Sequence, residues 1–354
     1  MSPTDGTCDP AFRSVGEAFA EIQGRDPAGA AVAVWHQSRL VVDLWGGAAA
    51  GTRSWDRDTL VMPYSVSKPL TAVCVLLLVA RGRLGLDARA STYWPELRCE
   101  ATVRQLLDHS AGLVALERPA PASAFLDWEE LCGRLAEQEP AWAAGSAVGE
   151  SPLFYGHLLG ELVRRVDGRS LGQFLRDEVC LPRRLDLHVG VRPEDQSRVA
   201  DLVPAPGFPG DGGGPLRAAA LGNPPGVADP GLVNSRAWRA AEVPAVNAHV
   251  TARAVAQLYW GLARGDILPR GLVDELSTVQ ASGVDAVTGS PAQWGLGVAI
   301  EPDGWGMGGL GGSLGWWSEE GGYALAFVTA YLDSHDRSAQ LENAVRGSIG
   351  LPPL

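Results

Sequence analysis

The chain has 354 residues, a net charge of −12 and 46% hydrophobic residues. That length and apolar content supply one large or two modest domains with a sizeable core, and the acidic balance argues against a nucleic-acid partner. Five cysteines without a close pair (Cys8, Cys74, Cys99, Cys132, Cys180) argue against a disulfide framework or a zinc knuckle, and the six histidines show no His-x-x-x-His spacing.

The first residues, Met1 to Gly6, carry neither the basic nor the apolar part of a signal peptide. The longest apolar run, Ala72 to Ala80, is too short to span a bilayer. The expectation is a soluble, cytoplasmic protein with no membrane partner. Residues 11–24 pattern as a short amphipathic helix closed by Gly24. Ala31 to His36 and Leu40 to Trp45 read as two strands joined by Gln37-Ser38-Arg39, with His36 at a strand end or surface.

Next comes Met62-Pro63-Tyr64-Ser65-Val66-Ser67-Lys68, then the apolar run Val73 to Val79 and the stop Arg81-Gly82-Arg83. If a helix begins at or just after Ser65, positions 65 and 68 share one face, one turn apart. A hydroxyl and an amine at a helix N-terminus form a nucleophile beside its base, where developing negative charge is favoured. Burial would help the lysine lose its proton. The helix is too apolar for a surface helix. Lys68 is the single lysine among 29 basic residues, which suits a site that needs an amine and not a guanidinium. Ser67, at the wrong spacing for the nucleophile, is expected to line the site.

From 84 to about 200 the pattern is mostly helical. Thr102 to Leu113 reads as a helix with an N-cap Thr and a Gly stop. His109 falls in its last turn, where the dipole favours a histidine, and a structural role is preferred over that of a base. Further helices are expected over 125–139, Leu153 to Val166 and Leu171 to Val179. Residues 204–232, with Gly212-Gly213-Gly214 and Asn223-Pro224-Pro225-Gly226, read as a long loop. Thr251 to Arg264 is a helix with an N-cap Thr. Strands follow at Trp294 to Glu301, Gly312 to Glu319 and Tyr323 to Tyr331, with a closing helix from about Asp336 to Ile349. The expected fold class is α+β. Strands from both ends build an antiparallel sheet flanked by helices, over 1–83 and 240–354, and 84–239 form a mostly helical insert, with the site between them.

Four segments together resemble a known family: Ser65-x-x-Lys68, Leu84-Gly85-Leu86-Asp87, Tyr93-Trp94-Pro95 and Thr102-Val103-Arg104-Gln105-Leu106-Leu107-Asp108-His109-Ser110-Ala111-Gly112-Leu113. The chain is similar to the serine β-lactamase-related superfamily over about residues 30 to 330. Members include class C β-lactamases, D-Ala-D-Ala carboxypeptidases, family VIII carboxylesterases and natural-product transacylases. The likeness is nearest the esterase and transacylase branch. It implies a β-lactamase/transpeptidase-like α/β sandwich with a helical domain. It also implies an acyl-enzyme on Ser65 with Lys68 as general base; separately, no metal or other cofactor is expected.

Two departures from the family pattern stand out. After the turn Ala144-Gly145-Ser146, Glu150 occupies the position of the family's tyrosine. A phenol titrates near about 10 and a carboxylate near about 4. Glu150 therefore either works as an acid or base with a raised pKa, or pairs with Lys68 and keeps it charged. Tyr155 offers a displaced phenol, although a core position suits it better. The third family motif matches Met307-Gly308-Gly309-Leu310, with Met307 in place of the basic residue. The glycines, Gly309 among them, still let this strand approach a substrate. The N–H near Leu310 and that of Ser65 would form an oxyanion hole, each donor worth about 10²–10³ in rate. Loss of the basic residue argues against β-lactams as good substrates. Trp305, Trp316 and Trp317 are candidates to line an acyl pocket, with core packing as the competing role. The expected function is transfer of an acyl group from an ester to a small-molecule amine or alcohol in secondary metabolism. A carboxylesterase is the alternative, and a non-catalytic ligand-binding relative the second alternative. The expected partners are a small-molecule acyl donor and acceptor.

Overall fold

β-Branched and aromatic runs at the two ends of the chain pair into one sheet. The N-terminal part supplies β1 (Thr4–Cys8), β2 (Ala30–His36) and β3 (Arg39–Gly46). The C-terminal part supplies β4 (Ala281–Val284), β5 (Pro291–Trp294), β6 (Ala299–Glu301), β7 (Gly304–Gly308), β8 (Leu314–Ser318) and β9 (Tyr323–Thr329). Their order is β1-β3-β2-β9-β8-β7-β6-β5-β4, antiparallel throughout. The seam between the two ends is β2 against β9, where Val32 pairs with Phe327 and Ala33 with Ala326. The computed structural model describes residues 4–209 and 214–354. Met1, Ser2 and Pro3, and Gly212 and Gly213 of the expected loop, lie outside the described residues.

The helices that matter for the site are α1 (Arg13–Arg25), α2 (Lys68–Ala80), α3 (Val103–Leu107), α4 (Trp128–Glu137), α5 (Tyr155–Asp167), α6 (Pro215–Gly222), α7 (Ala252–Arg264) and α8 (Asp336–Ser348). The period-two alternation of the strands sends the two faces of the sheet to different partners. Val32, Val34, Leu325 and Phe327 meet Phe19 and Ile22 of α1 and Leu341 and Val345 of α8. Ala31, Ala33, Ala324 and Ala326 face the other way, into the larger core that holds α2, α5 and α7. Every residue of α2 from Lys68 to Leu78 is buried, as expected of a helix that is apolar on all sides. The catalytic stretch therefore stands on a central helix.

Several expected boundaries move. The helix expected from Thr102 to Leu113 is only α3, capped by a reciprocal Thr102–Gln105 box and ended at Asp108. His109 follows it with φ +63°, outside the helix, so the dipole argument for it falls away. The expected strand Trp294 to Glu301 is two strands, β5 and β6, folded back on each other. The long loop 204–232 contains α6, whose Leu-Arg-Ala-Ala-Ala-Leu run forms helix despite the surrounding Pro and Gly. β1 carries few apolar residues because it is an edge strand with Asp5, Gly6 and Thr7 exposed. The five cysteines are unbridged, and no helix among the described residues is long and apolar enough to cross a membrane.

Candidate active site

Ser65 sits on a single 3-10 turn, Tyr64–Ser67, that runs straight into α2. Tyr64 holds φ +50°, a left-handed conformation uncommon for a bulky residue. Its ring is buried and its hydroxyl donates to the Val227 carbonyl at 3.1 Å. That anchor fixes the backbone immediately before Ser65. Pro69 in the first turn of α2 suits a helix start. Ser65 and Lys68 then meet as their spacing requires, with Lys68 Nζ 2.7 Å from Ser65 Oγ.

Glu150 arrives from the segment between α4 and α5. That segment is held on several sides. The Glu150 N–H donates to the Asp285 carboxylate at 2.7 Å, and the Ser151 N–H to His109 Nδ1 at 3.2 Å. The Gly149 N–H donates to the His109 carbonyl at 3.0 Å. Glu150 Oε1 lies 2.9 Å from Lys68 Nζ and 3.3 Å from Ser65 Oγ. The three groups form a triangle. Lys68 Nζ also donates to the carbonyls of Pro152 and Ala245, at 3.3 and 3.4 Å.

The electrostatics of this triangle pull in opposite directions. Burial pushes Lys68 below an ordinary lysine, and Glu150 offsets part of that. Burial works to raise Glu150, but Lys68, His109 and the hydrogen bonds from Lys68 and Ser65 together hold it below the usual carboxylate range. Glu150 is thus the ionised partner of a 2.9 Å contact with Lys68, and both touch the nucleophile. Such a pair can accept one proton as Ser65 Oγ attacks a carbonyl carbon. Ser65 Oγ gives its proton to Lys68 as Lys68 passes one on to Glu150, so the pair gains one proton in all. The same proton can then go to the leaving alkoxide.

Opposite the serine runs the end of β7 and the turn that follows it. A Cβ on Gly309 would stand 1.9 Å from the Pro63 carbonyl oxygen, so only glycine lets this strand lie against the Ser65 turn. Beyond it, the Leu310 N–H donates to no protein acceptor among the described residues. With the Ser65 N–H it is placed to receive a developing oxyanion. A cavity of about 190 Å³ opens over the serine between Glu150 and Pro152 on one side and Gly308 to Leu310 on the other.

The structure brings Ser65, Lys68, Glu150, Gly309 and Leu310 together and sets the other sequence candidates apart. Met307 does not line the cavity; it packs against Val148 and Trp294 and is almost fully buried. Tyr155 is a core residue, its hydroxyl donating to the Leu107 carbonyl at 3.2 Å and its ring 4.7 Å from that of His109. It does not serve as a displaced phenol. Trp317 packs edge-on against Trp260 of α7 and does not line the cavity. Trp305 and Trp316 are core as well, and the Trp305 indole N–H donates to Glu319 at 2.9 Å. Ser67 is fully buried and its hydroxyl accepts the Ala248 N–H at 3.1 Å, so it braces the core and does not line the site. His109 is structural. It is enclosed by Tyr155 and Trp294, and burial pushes its pKa down to about 3.

Three residues at the site went unread in the sequence. Asp285 is completely buried and accepts from the N–H groups of Glu150, Val287 and Thr288. Its only signal was an Asp before a Thr-Gly turn. His335, at the start of α8, reaches the rim because Gly308 has no side chain; a Cβ there would stand 2.9 Å from the imidazole. Arg217 enters from α6, inside a segment that read as loop.

A buried lysine and a carboxylate converging on a serine, beside a glycine-rich strand end, define a serine acyl-transfer site of the Ser-x-x-Lys kind. The chain belongs to the beta-lactamase family, whose model matches residues 17–346. It is 32% identical over 357 residues to the esterase/beta-lactamase LipL of Mycobacterium tuberculosis, covering 91% of this chain and 82% of that protein. Among solved structures it superposes with a TM-score of 0.90 on a family VIII carboxylesterase, at 30% identity, covering 98% of this chain and 100% of that one. A penicillin-binding protein homologue from Caulobacter crescentus gives the same TM-score of 0.90 at 31% identity, covering 98% and 100%. The mixed α/β fold with its antiparallel sheet and the serine hydrolase class expected from the sequence agree with these relatives.

Proposed function

We propose that this protein is a carboxylesterase that works through an acyl-enzyme on Ser65. The observation that carries the reading is the triangle itself, with Ser65 Oγ at 2.7 Å from Lys68 Nζ and 3.3 Å from Glu150 Oε1 on the wall of a cavity. Ser65 attacks the ester carbonyl and the Lys68–Glu150 pair takes its proton. The N–H groups of Ser65 and Leu310 hold the oxyanion. The pair then protonates the departing alcohol, and in the second half it deprotonates the water that releases the acid. The esterase relatives at 32% and 30% identity support this choice over the transacylase expected from sequence.

Acyl transfer to a small alcohol or amine is the second reading. It is supported by the apolar wall of Pro152, Leu221, Val287 and Leu310, which would hold an acceptor's hydrocarbon better than water. Product partition separates the two. With 4-nitrophenyl butyrate and a panel of alcohols and amines, an esterase yields butyrate equal to the nitrophenol released. A transacylase yields a new ester or amide in excess of butyrate. Absence of nitrophenol release across a series of short esters would contradict both.

A further inference from the structure

The cavity over Ser65 contains a cation that the acyl-transfer steps do not use. Arg217, on α6, lines it half-buried. Among the described residues its guanidinium stands in no ion pair and no hydrogen bond. Glu150, the carboxylate that shares the cavity, is engaged by Lys68 at 2.9 Å. Buried Asp285 lies behind the wall, spent on the N–H groups of Glu150, Val287 and Thr288, so among the described residues Arg217 is the cation left facing the opening. A guanidinium keeps its charge at any working pH and presents a planar fork of donors suited to a carboxylate. A half-buried position strengthens its attraction for an anion.

The other rim adds polar groups and no opposing charge. Thr288 and His335 complete it, and burial together with the neighbouring Arg337 holds the His335 imidazole below its ordinary pKa. Among the described residues, no acidic side chain other than Glu150 lines the cavity. β7 itself offers no cation here, since Met307 is buried against Val148 and Trp294. The cation comes instead from a different element across the cavity.

We propose that Arg217 is a specificity-determining residue that selects ester substrates carrying a carboxylate, on the acyl or on the alcohol side of the scissile bond. The inference rests on the acyl-enzyme reading of Ser65. Two probe pairs separate the sides. Mono-4-nitrophenyl glutarate against 4-nitrophenyl pentanoate reads the acyl side; 4-acetoxybenzoate against 4-acetoxybenzamide reads the alcohol side. In one of the pairs the wild-type protein should prefer the anionic ester in kcat/KM. Arg217→Ala should reduce that anionic-to-neutral ratio by about 10-fold to 100-fold, the worth of a hydrogen bond to a charged group. Arg217→Lys should retain part of the ratio. Monomethyl glutarate (acyl side) and 4-acetoxybenzoate (alcohol side), each titrated calorimetrically into Ser65→Ala, supply a readout that needs no turnover. The ligand of the preferred side should bind, and lose affinity when Arg217→Ala is added. Hydrolysis of the neutral esters with no anionic preference in either pair would overturn the inference and leave the esterase reading standing. Loss of all turnover together with loss of both binding signals would overturn both. Binding without turnover would retain the anion site and remove the acyl-enzyme.

Discussion

Lys68 and Glu150 meet at 2.9 Å, and Arg337 and Asp26 at 2.7 Å, each pair with a cation almost shut off from solvent. The resemblance ends at the surroundings. Arg337 is held by the Gly311 carbonyl at 2.8 Å and lies over the ring of Tyr331 at 5.5 Å. It ties the end of α1, the turn after β7 and the start of α8 to one another. A guanidinium there cannot release its proton, so the pair is purely a fastening. The catalytic pair uses the only lysine of the chain, and its carboxylate keeps 17% exposure towards a cavity. One geometry thus serves two ends. Proton transfer requires the amine, a nucleophile within reach and an opening for substrate; structural tying requires none of these.

The sharpest way to break this contrast is to put the fastening's cation into the site. Lys68→Arg keeps a positive charge beside Glu150 but removes the amine that can pass a proton between Ser65 and Glu150. Ester turnover should fall by about 10³-fold or more in a steady-state assay, with the fold checked by circular dichroism. A rate near that of the wild type would transfer the base role to Glu150 alone. The converse change is Asp26→Ala, which strands Arg337 without its carboxylate. Urea unfolding should report a loss of about 3–5 kcal/mol. The kcat should stay close to that of the wild type, because Arg337 keeps its bond to Gly311 beside the oxyanion turn. A collapse of kcat with little loss of stability would make this pair part of the catalytic apparatus.

A third buried carboxylate sharpens the picture from another side. Glu342 of α8 is buried beside Asp303 and accepts from the Tyr323 hydroxyl at 3.1 Å. Burial, with the negative charge of Asp303 next, lifts its pKa from 4.5 to about 7. The folded state therefore binds a proton more tightly than the unfolded chain, and stability falls as pH rises from about 4.5 to about 7. Above that window the loss amounts to about 3 kcal/mol. Glu342→Gln should stabilise the protein at pH 8, with a gain that shrinks towards pH 5. A gain independent of pH would assign the effect to packing and not to the carboxyl proton.

What could be read from the sequence was whatever rests on local pattern. The Ser65–Lys68 spacing, the uniformly apolar α2, the hairpin of β2 and β3 and the Thr caps of α3 and α7 are each encoded within a few residues, and the structure has them all. Glu150 was found by its place in the motif order, but its pairing with Lys68 depends on the Asp285 and His109 contacts, which bring together residues far apart in the chain. The errors share that origin. Met307 and Trp317 lie on strands bordering the site, but what each side chain packs against (Val148 and Trp294 for one, Trp260 for the other) comes from residues far apart in the chain. Tyr155 follows Glu150 closely, but the start of α5 turns it into the core. Arg217 was hidden because the Pro and Gly around it outweighed the short Ala/Leu run of α6.

The account stands on Ser65 carrying an acyl group, and intact mass measures that directly. After brief mixing with 4-nitrophenyl butyrate and acid quench, the wild-type chain should gain the mass of one butyryl group. Peptide mapping should place that group on Ser65, and the Ser65→Ala chain should gain none. Hydrolysis of the ester at the same rate by Ser65→Ala, or an acyl group mapped to another residue, would contradict it.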